Sequence, residues 1–79
     1  MDGAIHIAMD FVLARPRTVT RPHPTVPPDL DKLIRAVLDG LTAIAYRDDA
    51  QVTSIKASKR YGQDIGVHIT IEKDDTTHP

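Results

Sequence analysis

Cysteine and tryptophan are missing from this 79-residue chain, and its aromatic side chains are one phenylalanine and two tyrosines. Without cysteine, no disulfide or thiolate-ligated zinc can staple the fold; the composition suits a reducing cytosol. Two tyrosines are a thin basis for a base-stacking platform. No apolar run approaches the roughly 18 residues of a membrane span. The opening "MDGAIHIAMD" carries an aspartate where a signal peptide would carry basic charge. His6, His23, His68 and His78 show no ligand spacing, and each reads as a surface residue. Net charge is -1, whereas a generic nucleic-acid binder is basic. A chain this short buries about 60% of its unfolded surface, so a partner, a bound ion or a second copy is expected to help hold it together.

What is present is unevenly distributed. Residues 14–28, "ARPRTVTRPHPTVPP", hold Arg15, Arg17, Arg21 and His23 and no acid. A second basic group, Lys56, Lys59 and Arg60, lies in "SIKASKR", while the end "EKDDTTHP" is net acidic. Local basic patches on a near-neutral protein can still grip phosphates, because binding depends on the field at the contact surface. Pro16, Pro22, Pro24, Pro27 and Pro28 each remove a backbone donor and restrict the preceding residue. Residues 14–28 therefore read as a long, basic, proline-rich loop, expected to be mobile until DNA orders it.

Around that loop the periodicities are clear. Ala4–Leu13 alternates, with Ile5, Ile7, Met9, Phe11 and Leu13 on one face, which predicts a strand. From Asp31 to Ala45, apolar residues recur at three and four and fill one broad arc of a helical wheel. Gly40 weakens that helix and suggests that something packs close to it. Gln51–Lys59 alternates less clearly, and "RYGQD" resembles a hairpin connection centred on Gly62. Ile65, Val67, Ile69 and Ile71 mark a last strand, and residues 73–79 read as a frayed tail. The expectation is a single α+β domain over residues 1–79, with one main helix on a small mixed sheet in the order β-loop-α-β-β.

The acids stand at the ends of the helical pattern. Asp29 and Asp31 follow two prolines, and i and i+2 project the same way from extended backbone. Both carboxylates can then face the positive end of the helix. Asp48 and Asp49 follow the helix; about 14 helical residues span roughly 21 Å, so proximity to the first pair needs a chain that turns back. Ordinary capping and a solvated turn are the more economical account from residue chemistry alone. The alternative is an all-oxygen site for a hard divalent ion, which would hold repelling carboxylates together and serve phosphodiester hydrolysis.

The stretch "PDLDKLIRAVLDGLTAIAYRDDAQV" closely resembles the core motif of the RusA family of endodeoxyribonucleases, the phage and prophage Holliday junction resolvases. The resemblance is strong from Pro28 to about Val52 and looser, through element order, from Ala4 to Glu72. It implies a homodimer that resolves four-way DNA junctions by magnesium-dependent cleavage, with manganese as a substitute, in the cytoplasm of a bacterium or phage-infected host. Asp29, Asp31 and Asp49 match the family's metal-binding acids, with Asp48 a further candidate. Arg35 stands where many members carry a functionally important lysine, and Lys32 replaces an asparagine often found after the second acid. Against the family pattern, the chain is expected to lack the first strand.

The leading expectation is a metal-dependent junction nuclease in which Asp29, Asp31, Asp49 and Arg35 act at the scissile phosphate. Arg15, Arg17, Arg21, Lys32, Lys56, Lys59 and Arg60 would meet DNA backbone. A non-catalytic junction binder and a small structural protein are the alternatives.

Overall fold

The alternation of IHIAMDFVL produces the strand it predicts. β1 (Ile5–Leu13) is followed by the helix α1 (Leu30–Leu41), a 3-10 turn at Asp49–Gln51, β2 (Val52–Tyr61) and β3 (Gly66–Lys73). This is a computed structural model, and it describes residues 3–74. The sheet order is β2-β1-β3, with β1 parallel to β2 and antiparallel to β3. A parallel pair needs a crossover, which α1 supplies. The architecture is the expected α+β one, a single main helix on a small mixed sheet.

The apolar face of β1 forms the centre of the core. Ile5 and Ile7 are fully buried, and Met9, Phe11, Leu38 and Tyr46 complete the buried cluster. Leu30, Leu33, Ile34, Val37 and Leu41 of α1 pack against it, which is the arc that the three-and-four spacing marks out. On β3, Ile71 joins this core, but Val67 and Ile69 remain 43% and 38% exposed. One helix is too narrow to cover three strands.

The structure corrects three sequence expectations. First, "RYGQD" is not a hairpin: β1 lies between β2 and β3, so the connection crosses the end of β1. Gly62 N–H donates to Leu13 O at 3.0 Å, and a Cβ on Gly62 would lie 2.7 Å from Val12 Cγ1. That close approach requires glycine, and it helps bury Val12 on the otherwise open face of the sheet.

Second, α1 stops at Leu41 rather than running to Ala45. Thr42 leaves helical geometry with φ -59° and ψ 134°, and its N–H and hydroxyl both reach Leu38 O, at 3.0 and 2.8 Å. Ala43 takes φ 69°. The reversal throws Ile44 outward, 83% exposed, and brings Tyr46 into the core. Third, no atom beyond the helix's own lies within 4 Å of where a Cβ on Gly40 would sit, so close packing does not explain that glycine. At the other end of the chain, β3 continues through Lys73 and Asp74 N–H donates to Ala4 O at 2.9 Å. The remainder of the expected tail, 75–79, lies outside the described residues.

Candidate active site

The start of α1 answers the question raised by its acids. Asp29 is the N-cap residue, with φ -71° and ψ 142°, but its side chain makes no capping hydrogen bond. Its carbonyl accepts the Leu33 N–H at 3.1 Å, and among the described residues its carboxylate meets only Lys32, at 3.9 Å. Asp31 lies in the first turn, and its exposed carboxylate has no hydrogen-bond or ion-pair partner among the described residues. Neither carboxylate is consumed in capping.

The second acidic pair divides. Asp48 is a cap: its carboxylate accepts the Ala50 N–H at 2.9 Å, and Gln51 Oε1 accepts the Asp48 N–H at 3.0 Å, completing a capping box. Asp49 is left free to face α1. Its Oδ2 accepts from Arg35 Nη1 at 3.1 Å, and its Oδ1 lies near the hydroxyls of Thr42 and Tyr46, at 2.5 and 3.3 Å. Those hydroxyls also lie 2.8 and 3.4 Å from Leu38 O. Two hydroxyl protons thus serve two acceptors, and Asp49 is oriented by groups from the end of the helix and the turn after it.

Asp31 and Arg35 are four residues apart and therefore neighbours on one helix face. The turn at 42–46 reverses the chain, so Asp49 docks on Arg35, one turn along from Asp31. Arg35 also approaches Asp39 at 3.8 Å. Burial pushes the Tyr46 phenol above its usual 10.0, an effect the Thr42 hydroxyl opposes and the Asp49 charge reinforces. Thr42 and Tyr46 are site residues that sequence reasoning missed; their only signal is the spacing of two hydroxyls before the aspartate.

The basic residues do not form one stripe. Arg17 and Lys56 are exposed and have no hydrogen-bond or ion-pair partner among the described residues. Arg60 forks onto Asp10, with Nε and Nη2 each 3.0 Å from Oδ2. The Arg15 guanidinium lies 4.5 Å from the Tyr61 ring centroid and donates to Arg21 O, while Arg21 Nε donates to the Tyr61 hydroxyl at 3.1 Å. Lys59 donates to Val26 O at 2.9 Å and to Pro28 O at 3.0 Å. Strand alternation puts Lys59 and Tyr61 on the helix side of β2, with Lys56 and Arg60 on the other. On that open face His6 Nδ1 lies 2.8 Å from Ser54 Oγ.

The family model for the endodeoxyribonuclease RusA matches residues 1–72. The chain belongs to the RusA family. It is also 38% identical over 50 residues to the "Uncharacterized protein YqaN" of Bacillus subtilis (strain 168), across 63% of this chain and 35% of that protein. The match therefore spans about a third of the length of that relative. No solved structure matches the chain significantly.

For a RusA-family chain the expected ligand is a hard divalent cation. The donor set fits in kind: Asp29, Asp31 and Asp49 offer only carboxylate oxygen, which magnesium and manganese prefer. Among the described residues, however, no three acidic or histidine side chains gather closely enough to hold an ion. The arrangement is an exposed pair at the helix start, with the third acid tied to Arg35.

Proposed function

We propose that this RusA-family domain is a metal-dependent endodeoxyribonuclease that cuts four-way DNA junctions by phosphodiester hydrolysis. The observation carrying this reading is the carboxylate of Asp31, unpartnered among the described residues, on the same helix face as Arg35, to which Asp49 is docked at 3.1 Å. Asp29, Asp31 and Asp49 would hold magnesium, with Asp48 contributing only by giving up its cap. The ion would supply Lewis-acid stabilisation to a phosphodiester. Arg35, 63% exposed at its side chain, can release Asp49 toward the helix start and turn its guanidinium to a phosphate oxygen, for which its planar fork is suited. Thr42 and Tyr46 keep the Asp49 carboxylate oriented throughout. Arg17 and Lys56 offer free charge to DNA backbone, which fits recognition by shape rather than sequence.

A homodimer belongs to the same proposal. An open apolar groove of about 420 Å³ lies between Leu33, Ala36 and Val37 of α1 and Ile65, just before β3, with Val67 in that strand. A second copy covering it would supply burial that a chain this small lacks, and paired cuts need paired sites. Sedimentation equilibrium at micromolar concentration tests this; a folded monomer would count against it.

The second reading, a junction binder without catalysis, is favoured by the absence of a three-acid cluster among the described residues. A cleavage assay on four-way junctions separates the two. The nuclease releases nicked or resolved product with magnesium and none with EDTA. Salt-dependent binding with no scission under either condition would select the binder.

A further inference from the structure

Lys59 was expected among the DNA contacts, yet its ammonium is already occupied. It donates to the carbonyls of Val26 and Pro28, at 2.9 and 3.0 Å, across more than thirty positions of chain. These carbonyls belong to the last residues before Asp29. We propose that Lys59 is a positioning residue for Asp29 and Asp31, fixing the path by which the chain enters α1 and so the direction in which the two acids face. The inference rests on the reading that those acids bind a divalent cation.

The chemistry of the loop explains why a lysine is needed. Pro22, Pro24, Pro27 and Pro28 have no N–H to donate, so apart from the packing of the buried Pro24 this stretch offers mainly carbonyl oxygens as handles. The loop's own backbone bonds, Val19 N–H to Pro16 O and Thr25 N–H to His23 O, stay within the loop and tie it to nothing else. An ammonium has three donors and no acceptor, which matches a segment rich in acceptors. Lys59 pairs with Phe11 of β1 in the sheet register, so its stem rises from the core side of the sheet while its charged end reaches the loop. Two residues on, Tyr61 holds the start of the same loop through Arg15 and Arg21. β2 therefore grips the loop at both ends from one face.

Among the described residues, the two carboxylates themselves have little to hold them. Asp29 lacks a side-chain cap, its Lys32 contact is long and exposed, and Asp31 has no side-chain partner among the described residues. Outer groups that orient metal ligands typically matter about 10–100-fold in metal affinity. Lys59 fits that description here.

The test compares the parent with Lys59→Met, which keeps a side chain of similar length without its donors, and Lys59→Arg, which restores charge and donors. Lys59→Gln is the milder variant should Lys59→Met fail to fold. In the metal-free protein, exchange of the Leu33 amide, bonded to Asp29 O, is measured against that of Ile7 in the central strand. Manganese affinity is then read from paramagnetic broadening at residues 29–35, and junction binding from its salt dependence. The expected result for Lys59→Met is selectively faster Leu33 exchange, about tenfold or more weaker manganese binding and an unchanged salt slope, with Lys59→Arg largely restored. Parent-like Leu33 exchange and manganese affinity in Lys59→Met would overturn the inference. So would a salt slope lowered by about one, the mark of a lost phosphate contact. A parent that binds no manganese at residues 29–35 would instead defeat the metal reading, while faster Leu33 exchange in Lys59→Met would still support the positioning role.

Discussion

Arg35, in the second turn of α1, holds Asp49 by an Nη1–Oδ2 contact of 3.1 Å, although the two residues are separated by the rest of the helix and a chain reversal. The partners are 63% and 37% exposed at their side chains, so the pair contributes little to folding, within about 1 kcal/mol. Its consequence is positional: it holds the third acid on the second turn of the helix, one turn along from Asp31.

Asp49→Asn is therefore expected to fold normally and fail catalytically. The amide oxygen can still accept from the Thr42 and Tyr46 hydroxyls, so unfolding free energy should change by no more than about 1 kcal/mol. Junction cleavage should fall by roughly 100-fold or more. Denaturant unfolding and single-turnover cleavage measure the two effects separately; substantial cleavage by the variant would remove Asp49 from the site.

Tyr46 makes a prediction about alkaline pH. Burial holds its phenol protonated more tightly in the folded chain than in the unfolded one, where the value is 10.0. The stability tied to this difference is complete below pH 10 and is lost as pH rises through the folded-state value. Tyr46→Phe should cost about 1 kcal/mol at neutral pH and show a shallower fall in melting temperature above pH 10 than the parent. Parallel curves would mean that Tyr46 does not carry the effect.

Two glycines should respond in opposite directions to alanine. Gly40 is helical and exposed, with no outside atom within 4 Å of an added Cβ, so Gly40→Ala should stabilise by up to about 1 kcal/mol. Gly62→Ala would push a methyl against the stiff, buried side chain of Val12 at 2.7 Å and should destabilise by about 1–3 kcal/mol. Thermal melts of both variants decide, and equal shifts would contradict the description of either site.

Within the basic loop, Arg17 is separable from its neighbours. Arg15 and Arg21 are engaged with Tyr61, whereas the Arg17 side chain is unpaired among the described residues. Arg17→Ala should leave the melting temperature unchanged and lower the salt slope of junction binding by about one. The Arg15/Arg21 double variant should loosen the loop as well. Junction affinity unaffected by Arg17→Ala at two salt concentrations would argue that the loop faces away from DNA.

Strong local periodicity made β1, most of α1 and the apolar arc legible in the sequence. What misled was information that is not local. Ile44 fits the helical wheel, but the Thr42 hydroxyl at Leu38 O and the reversal at Ala43 end the helix first. Gly62 and its neighbours have the composition of a hairpin, and no residue there announces that β1 must lie between the two strands. At the site, the acids were visible as a pattern, whereas the division of labour between Asp48 and Asp49 depends on which carboxylate the 3-10 turn consumes. Lys59 read simply as charge, because its carbonyl partners lie far away in sequence.

Of the three described strands, the earliest in the chain is the one that ends in the middle of the sheet. β1 can acquire its first neighbour only after α1 and β2 have left the ribosome, and its second only when β3 has followed. Pairings such as His6 with Ser54, 48 positions apart, and Ile7 with Ile71 are non-local, and such pairings slow the search for the native arrangement. Until β3 arrives, one edge of β1 keeps its backbone groups unpaired, and completion of this sheet waits on a strand more than fifty positions further along the chain.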